Sequence, residues 1–149
     1  MEETTHNAIE RFVRQELGCQ CPAAVFSRIA VEDAPEAFGV WPQGRLISVG
    51  ERLLILVVRS DDADTVHRML GKLLLEGRRL RETRGFNRFR LVFATTCVDV
   101  TAPSLRKDFE RLDGIDERLH LHVIAPEQLP AILTRTPAAV RRVMFCEPQ

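Results

Sequence analysis

The spacing of apolar residues predicts helices alternating with short strands along this chain. Apolar positions recur every three or four residues from about Thr5 to Leu17 and again from Val66 to about Arg84, which is typical of amphipathic helices. Elsewhere they form short continuous or alternating runs, which is typical of strands. The predicted elements are, in order, a helix over Thr5–Leu17, strands over Val25–Val31, Arg45–Val49 and Arg52–Arg59, a helix ending near Arg84, a strand over Phe89–Thr96, a helix over Ser104–Leu112, a strand over Leu119–Ile124 and short helices over Pro126–Leu133 and Ala138–Phe145.

The order of these elements predicts an α/β fold with a mixed sheet. Leu53–Val58 is apolar at every position, which indicates a central strand covered on both faces. Gly50-Glu51 before it indicates an antiparallel hairpin. The later strands are joined through helices, and such connections are normally right-handed and make the strands parallel. We therefore expect one domain over residues 1–149, with an N-terminal helix, an antiparallel hairpin, a parallel β-α-β-α-β unit, about five strands in all and helices on both faces.

Composition indicates the class of protein and its expected location but does not identify a function. The chain has 149 residues, 45% hydrophobic and 28% charged, as in an ordinary globular domain. Its 21 basic and 21 acidic residues cancel, so no overall field attracts nucleic acid or an anionic membrane. Met1–His6 is polar and acidic, unlike a signal peptide, and Leu53–Val58 is too short to span a bilayer. We expect a cytoplasmic protein with no membrane partner, in which thiols stay reduced.

Cys19 and Cys21 stand at a corner between Gly18, a helix stop, and Pro22, which can start a new helical turn. One turn of backbone can present both sulfurs, so the pair is a candidate zinc or iron–sulfur site or a redox pair. The single intervening residue is fewer than the two to four usual between metal-ligating cysteines. Alternatively, the two thiols simply fill a tight corner as small apolar groups.

Two further cysteines bear on that hypothesis. Cys97 and Cys146 complete a set of four metal ligands only if the fold brings them to the first pair. Cys97 also ends a predicted strand, where it could act as a nucleophile if a base such as His67 lay within hydrogen-bond reach. The alternative is a buried cysteine at a strand end.

The carboxyl edge of the parallel strands is the first place to look for a ligand pocket. Open α/β sheets bind ligands beyond the carboxyl ends of their strands. The polar candidates there are Asp61, Thr96, Asp99 and Glu127.

His120 and His122 alternate with apolar residues in the last predicted strand. The two-residue period of a strand puts both imidazoles on one face, where they could share a metal or serve as a base for Cys97. The alternative, which we favour, is that the two histidines lie on the more solvent-exposed face of an edge strand.

An arginine-rich segment spans the C-terminal end of the long helix. Six arginines lie between Arg78 and Arg90 with two phenylalanines among them, a composition that suits phosphate and base contacts. The residues that we single out as a nucleic-acid surface are Arg79, Arg84 and Arg88. Basic residues at a helix C-terminus also simply match the helix dipole, so nucleic acid is not the preferred partner.

The remaining features favour a binding module over an enzyme, without deciding between them. The chain lacks a dinucleotide fingerprint, a phosphate-binding Walker loop, a zinc-protease helix and a serine-hydrolase elbow. Trp41, in the Glu32–Gly44 loop, is either a plug on the core or an exposed anchor for a partner. We expect a small accessory protein that binds a protein partner or a second copy of itself, with a thiol site and a nucleic-acid contact as the alternatives.

Overall fold

The computed structural model describes residues 3–41 and 43–133, which form a five-stranded sheet in the order β1-β2-β3-β4-β5. The strands are β1 (Ile29–Asp33), β2 (Arg45–Val49), β3 (Leu53–Arg59), β4 (Arg88–Ala94) and β5 (Leu119–Ile124). The helices are α1 (Glu3–Arg11), which continues as a π-helical turn over Phe12–Glu16, α2 (Ala63–Arg84) and α3 (Val98–Arg111). Helical turns of the 3-10 type cover Ala23–Ser27, Glu36–Phe38, Pro126–Gln128 and Ala131–Leu133.

The sheet is mixed, as the sequence predicts. β1, β2 and β3 pair antiparallel, whereas β3, β4 and β5 pair parallel. Because the parallel strands follow one another without reversing direction across the sheet, two crossovers of the same hand place α2 and α3 on the same face. We call this the crossover face, and the face that α1 covers the N-terminal face.

Each face has its own apolar core. On the crossover face, Leu56 and Phe93 meet α2 residues such as Leu70. On the N-terminal face, Ile55 and Val92 meet the first helical segment, including Phe12. The buried side chains of Leu53–Val58 therefore alternate between two cores, which is why that run is apolar at every position.

The long helix α2 ends where its sequence predicts, and Asp62 caps its start. The Asp62 carboxylate accepts hydrogen bonds from the backbone N–H groups of Asp64 and Thr65 at 3.1 and 3.4 Å. These bonds and one from the Thr65 hydroxyl lower the pKa of Asp62. Gly85 ends the helix with φ of 74°, a left-handed conformation that favours glycine.

Several predicted boundaries were wrong for local reasons. The first strand begins at Ile29, because Val25 N donates to the Pro22 carbonyl at 3.0 Å and continues a 3-10 turn that buries Phe26. The hairpin turn has three residues, since Val49 pairs with Leu53. Pro126–Leu133 forms two 3-10 turns with Pro130 between them, and the helix predicted over Ala138–Phe145 lies outside the described residues.

The largest boundary error concerns α3. The sequence predicts a start at Ser104, but the helix begins at Val98 and contains Pro103. A proline inside a helix removes one hydrogen bond, here to the carbonyl of Asp99, which is an exposed residue that water can reach. This shift places Cys97 at the cap of α3. Among the described helices, none is long and apolar enough to cross a membrane.

Gly77 sets how closely α2 approaches the sheet, which gives the first prediction. A Cβ at Gly77 would overlap the ring of Phe89, itself fully buried and stacked on Phe38 with ring centroids 6.1 Å apart. Gly77→Ala should lower the free energy of unfolding by roughly 1–3 kcal/mol, the usual cost of overpacking. Gly71→Ala is the control, because its Cβ would meet only Leu112 at an ordinary 3.5 Å and would gain helix propensity. Equal urea midpoints for the two variants would contradict this account.

Candidate functional site

The corner at Cys19 and Cys21 is held on both sides by backbone hydrogen bonds. Gly18 turns the chain with φ of 70°, and Cys19 N donates to the Val13 carbonyl at 3.1 Å. Pro22 then starts the 3-10 turn over Ala23–Ser27. The two half-cystines have Cα atoms 5.6 Å apart and are bonded to each other as a disulfide. The expectation of free thiols at this pair was therefore wrong for this state of the chain, whereas a metal or redox role of the pair stays a prediction.

The two half-cystines differ in exposure. Cys19 is 9% exposed and belongs to the core of the N-terminal face, whereas Cys21 is half-buried and packs against that core from outside. Both line a cleft of about 390 Å³. The other side chains and backbone segments that line it are Gly18, Gln20, Pro22, Arg52, Leu53, Asn87, Arg88 and Arg90.

This cleft lies at the amino ends of the parallel strands. β3 begins at Leu53 and β4 at Arg88, so the cleft opens at the edge opposite to the one where we expected a pocket. The rule for open α/β sheets applies where the strand order reverses, and this sheet has no such reversal among its parallel strands.

Three arginines face the cleft, and two of them are braced by neutral acceptors. Arg90 donates to the Leu17 carbonyl at 3.2 Å and to His122 Nε2 at 2.9 Å. Arg88 donates to the Glu117 carbonyl at 3.4 Å and to His120 Nε2 at 2.9 Å. The Nε atom of Arg90 is buried and has no hydrogen-bond partner among residues 3–41 and 43–133. Burial and the nearby Arg88 charge lower the pKa of Arg90, although a guanidinium remains protonated at neutral pH.

No carboxylate of the described residues neutralises the positive charge of the cleft. Within residues 3–41 and 43–133, no carboxylate forms an ion pair with Arg52, Arg88 or Arg90. No acidic side chain lines the cleft in that part of the chain either. An anion entering this cleft would therefore meet donors without a competing carboxylate.

His120 and His122 lie on the edge strand β5, both on the N-terminal face, as the alternation of the sequence predicts. Burial first, and then the positive charges of Arg90 and Arg88, lower the pKa of His120 to about 4. Burial and Arg90 likewise lower the pKa of His122 to about 4. Both imidazoles are thus neutral at pH 7, and their Nε2 lone pairs accept hydrogen bonds from arginine.

The described residues do not provide a set of ligands for the metal site that the sequence suggested. Among them, no three histidine, cysteine, aspartate or glutamate side chains are grouped so that they could hold a metal ion. Cys97 caps α3 beyond the carboxyl end of β4, whereas Cys19 and Cys21 lie near its amino end, and a seven-residue strand spans about 20 Å. Cys146 lies outside the described residues.

At the carboxyl edge of the parallel strands, polar residues form hydrogen bonds between loops. Asp61 accepts from the backbone N–H of Thr96 at 2.8 Å, from its hydroxyl at 3.0 Å and from the Thr95 hydroxyl at 3.1 Å. The structure thus brings Asp61 and Thr96 together. Asp99 lies exposed in the first turn of α3, and Glu127 lies exposed in the 3-10 turn over Pro126–Gln128.

The arginine-rich segment does not form one surface. Arg79 pairs with Glu76 at 3.6 Å on α2, and Arg84 reaches Glu32 on β1 at 2.8 Å. Arg88 lies across the sheet on the N-terminal face. The three residues that we selected as a nucleic-acid surface are therefore divided between two faces of the sheet.

Arg81, in the same segment, is structural. It is 6% exposed and forms two hydrogen bonds with the Asp116 carboxylate, at 2.8 and 3.0 Å. These bonds, together with one from the Arg118 backbone, lower the pKa of Asp116 to about 2.

A serine–histidine–aspartate arrangement connects α2 and α3, and sequence reasoning missed it. His67 Nε2 lies 3.0 Å from Ser104 Oγ, and His67 Nδ1 is hydrogen-bonded to Asp108. The four-residue separation of Ser104 and Asp108 on one helix face was the available signal. Ser104 lies inside α3, where backbone N–H groups are used by the helix and cannot form an oxyanion hole. We interpret the group as a clamp between the two helices.

Trp41 is a plug on the core. Its indole N–H donates to the Phe38 carbonyl at 2.8 Å, and its ring packs edge-on against Phe93 with centroids 6.3 Å apart. Of the two alternatives, the structure supports core packing. The neighbouring Val40 is an exposed apolar residue, at 92%.

Comparison with known proteins finds no matching family model, no matching curated protein and no matching solved structure. Any functional conclusion must therefore come from the residues and the geometry described above.

The neutral histidines predict an acid-sensitive fold. Their pKa of about 4 lies below the ordinary value of 6.5, so between these pH values the unfolded chain binds protons that the folded chain does not. The free energy of unfolding should therefore be highest above pH 6.5 and should fall by on the order of 2 kcal/mol toward pH 4, allowing for solvent screening. Urea unfolding at pH 7, 5.5 and 4 measures this. In the His120→Gln/His122→Gln variant, whose amide oxygens can still accept from arginine, the loss over this range should be smaller; an unchanged pH slope would refute the assignment.

Asp116 predicts a second, separate acid effect. Because its pKa of about 2 is below the ordinary 3.8, its ion pair stabilises the fold above pH 3.8, and that stability is lost as pH falls toward 2. Asp116→Asn should cost about 1–2 kcal/mol at pH 7, a value discounted because the carboxylate is 36% exposed. Asp33→Asn is the control, since its pair with Arg45 is 3.0 Å long but the Asp33 side chain is 90% exposed. Thermal unfolding should show a larger loss of stability for Asp116→Asn than for Asp33→Asn. Similar losses of stability in the two variants would show that the burial of Arg81 is unimportant.

Proposed function

We propose that this protein is a binding module whose ligand is a small molecule carrying a carboxylate or phosphate group. The single observation that carries the proposal is the cleft in which Arg52, Arg88 and Arg90 meet without a carboxylate partner among the described residues. Arginine suits this task because its planar guanidinium donates two parallel hydrogen bonds to carboxylate or phosphate oxygens.

The arrangement of the arginines supports binding over a merely solvated charged surface. Arg90 is fixed by Leu17 and His122, and Arg88 by His120, so less side-chain freedom is lost when a ligand arrives. Neutral histidines brace the guanidinium groups without cancelling their charge. Arg52 is exposed at the cleft and can close on a ligand from the hairpin side.

The rest of the lining indicates a ligand with both polar and apolar parts. Leu53, Pro22 and the disulfide offer apolar surface, and Asn87 offers a neutral amide. A volume of about 390 Å³ falls within the usual range of small-molecule sites. The protein partner or second copy expected from the sequence stays a prediction, as does the cytoplasmic location.

Anion titration tests the proposal. Inorganic phosphate should bind the oxidised protein in calorimetry and shift amide resonances of Arg52, Asn87 and Arg88 in NMR. Arg52→Ala and Arg88→Ala should each weaken binding by roughly ten- to a hundredfold, because each removes a charge-assisted contact worth about 1.5–3 kcal/mol. Arg79→Ala is the control, since that side chain is 76% exposed and pairs with Glu76 away from the cleft.

Two outcomes would overturn this assignment. Phosphate binding that Arg79→Ala weakens as much as Arg88→Ala would reflect net charge alone. An oligonucleotide that binds the protein and is released by Arg79→Ala and Arg84→Ala would instead favour the nucleic-acid alternative.

A further inference from the structure

We propose that the Cys19–Cys21 pair carries out thiol–disulfide exchange with small disulfides and thiols that bear negative charge. This inference rests on the proposed anion site, because the same arginines would hold the anionic groups of the reactant. What carries it is the juxtaposition of a disulfide and three arginines in one cleft.

The exposure of the pair assigns separate tasks to the two sulfurs. Cys21 is half-buried at the cleft, so it meets the reactant first. Cys19 is 9% exposed and anchored through its N–H to Val13, so it is shielded from bulky reactants but stays beside its partner. Exchange depends on access to the attacked sulfur, which favours Cys21 as the point of entry.

The surrounding charge favours the reaction in two ways. Nearby guanidinium groups stabilise the thiolate, which is the nucleophilic form of cysteine. They also attract an anionic reactant and repel a cationic one, which changes the encounter rate. Both effects come from Arg52, Arg88 and Arg90, whose charge no described carboxylate offsets.

The step balances without another reactant. Starting from the dithiol, the Cys21 thiolate attacks one sulfur of the substrate disulfide, which breaks that bond and releases one substrate thiolate. The Cys19 thiolate then attacks Cys21 Sγ in the mixed disulfide, re-forms the Cys19–Cys21 bond and releases the second thiolate. Two electrons pass from the protein to the substrate, and the protons of the two cysteine thiols end on the two released thiols. The reverse sequence oxidises an anionic thiol.

The experiment compares three disulfides of different charge on the reduced full chain. Glutathione disulfide is anionic, 2-hydroxyethyl disulfide is neutral and cystamine is cationic. Re-formation of the bond is followed by alkylation and mass spectrometry of the peptide over residues 15–28, which contains Cys19 and Cys21 but neither Cys97 nor Cys146. We expect the rate with glutathione disulfide to exceed that with cystamine by roughly tenfold or more. In Arg52→Ala/Arg88→Ala the ratio should fall toward one, whereas Arg79→Ala should leave it unchanged.

Cysteine variants test the order of the two steps. Cys19→Ser should stop at a mixed disulfide on Cys21, and Cys21→Ser should react more slowly because Cys19 is buried. Two results would overturn the proposal. One is a ratio near one between the rates with glutathione disulfide and with cystamine, measured on the native chain so that no variant has to fold. The other is faster modification of Cys19 than of Cys21.

Phosphate binding separates this proposal from the proposed function. If phosphate still binds while the rate ratio is one, only the exchange proposal fails. If phosphate does not bind but the preference for the anionic disulfide persists, the proposed binding function fails.

Discussion

Burial of the central strand from both sides is the constraint on which the structure depends. Every residue of Leu53–Val58 is buried, so apolar cover is needed above and below the sheet. The crossover face receives it from α2 and α3. On the N-terminal face, the described residues that provide it belong to the shorter first helical segment, the turn over Ala23–Ser27 and the 3-10 turns that carry Leu129 and Leu133. At the amino ends of β4 and β5, the strands carry arginine and histidine on that face.

The cleft follows from this unequal cover. Arg88, Arg90 and Val92 lie on the same side of β4, so that side of the strand is polar at the start and apolar further on. Histidines on β5 brace both arginines as neutral acceptors, because burial keeps them unprotonated. The corner at Cys19 and Cys21 ends the covering segment, which is why the disulfide and the arginines border the same space.

The strongly periodic elements could be predicted, and the local exceptions could not. β2 and β5 were predicted to the residue, and the end of α2 was predicted near Arg84, where Gly85 ends the helix. The start of α3 was missed because a proline can mark a first turn or lie inside a helix. Here Thr101, before the proline, is buried and donates its N–H to the Cys97 carbonyl at 2.9 Å, so the proline lies inside.

Local periodicity and the geometry of glycine and proline were enough to predict the fold class, the central strand, the shared face of His120 and His122 and the corner that presents two cysteines. The topology of the folded chain determined which distant groups meet. It separated Cys97 from the first pair, divided the arginine-rich segment between two faces and set Arg90 beside Leu17, because strand order and crossover hand are long-range properties. The arginine cleft is a product of that topology.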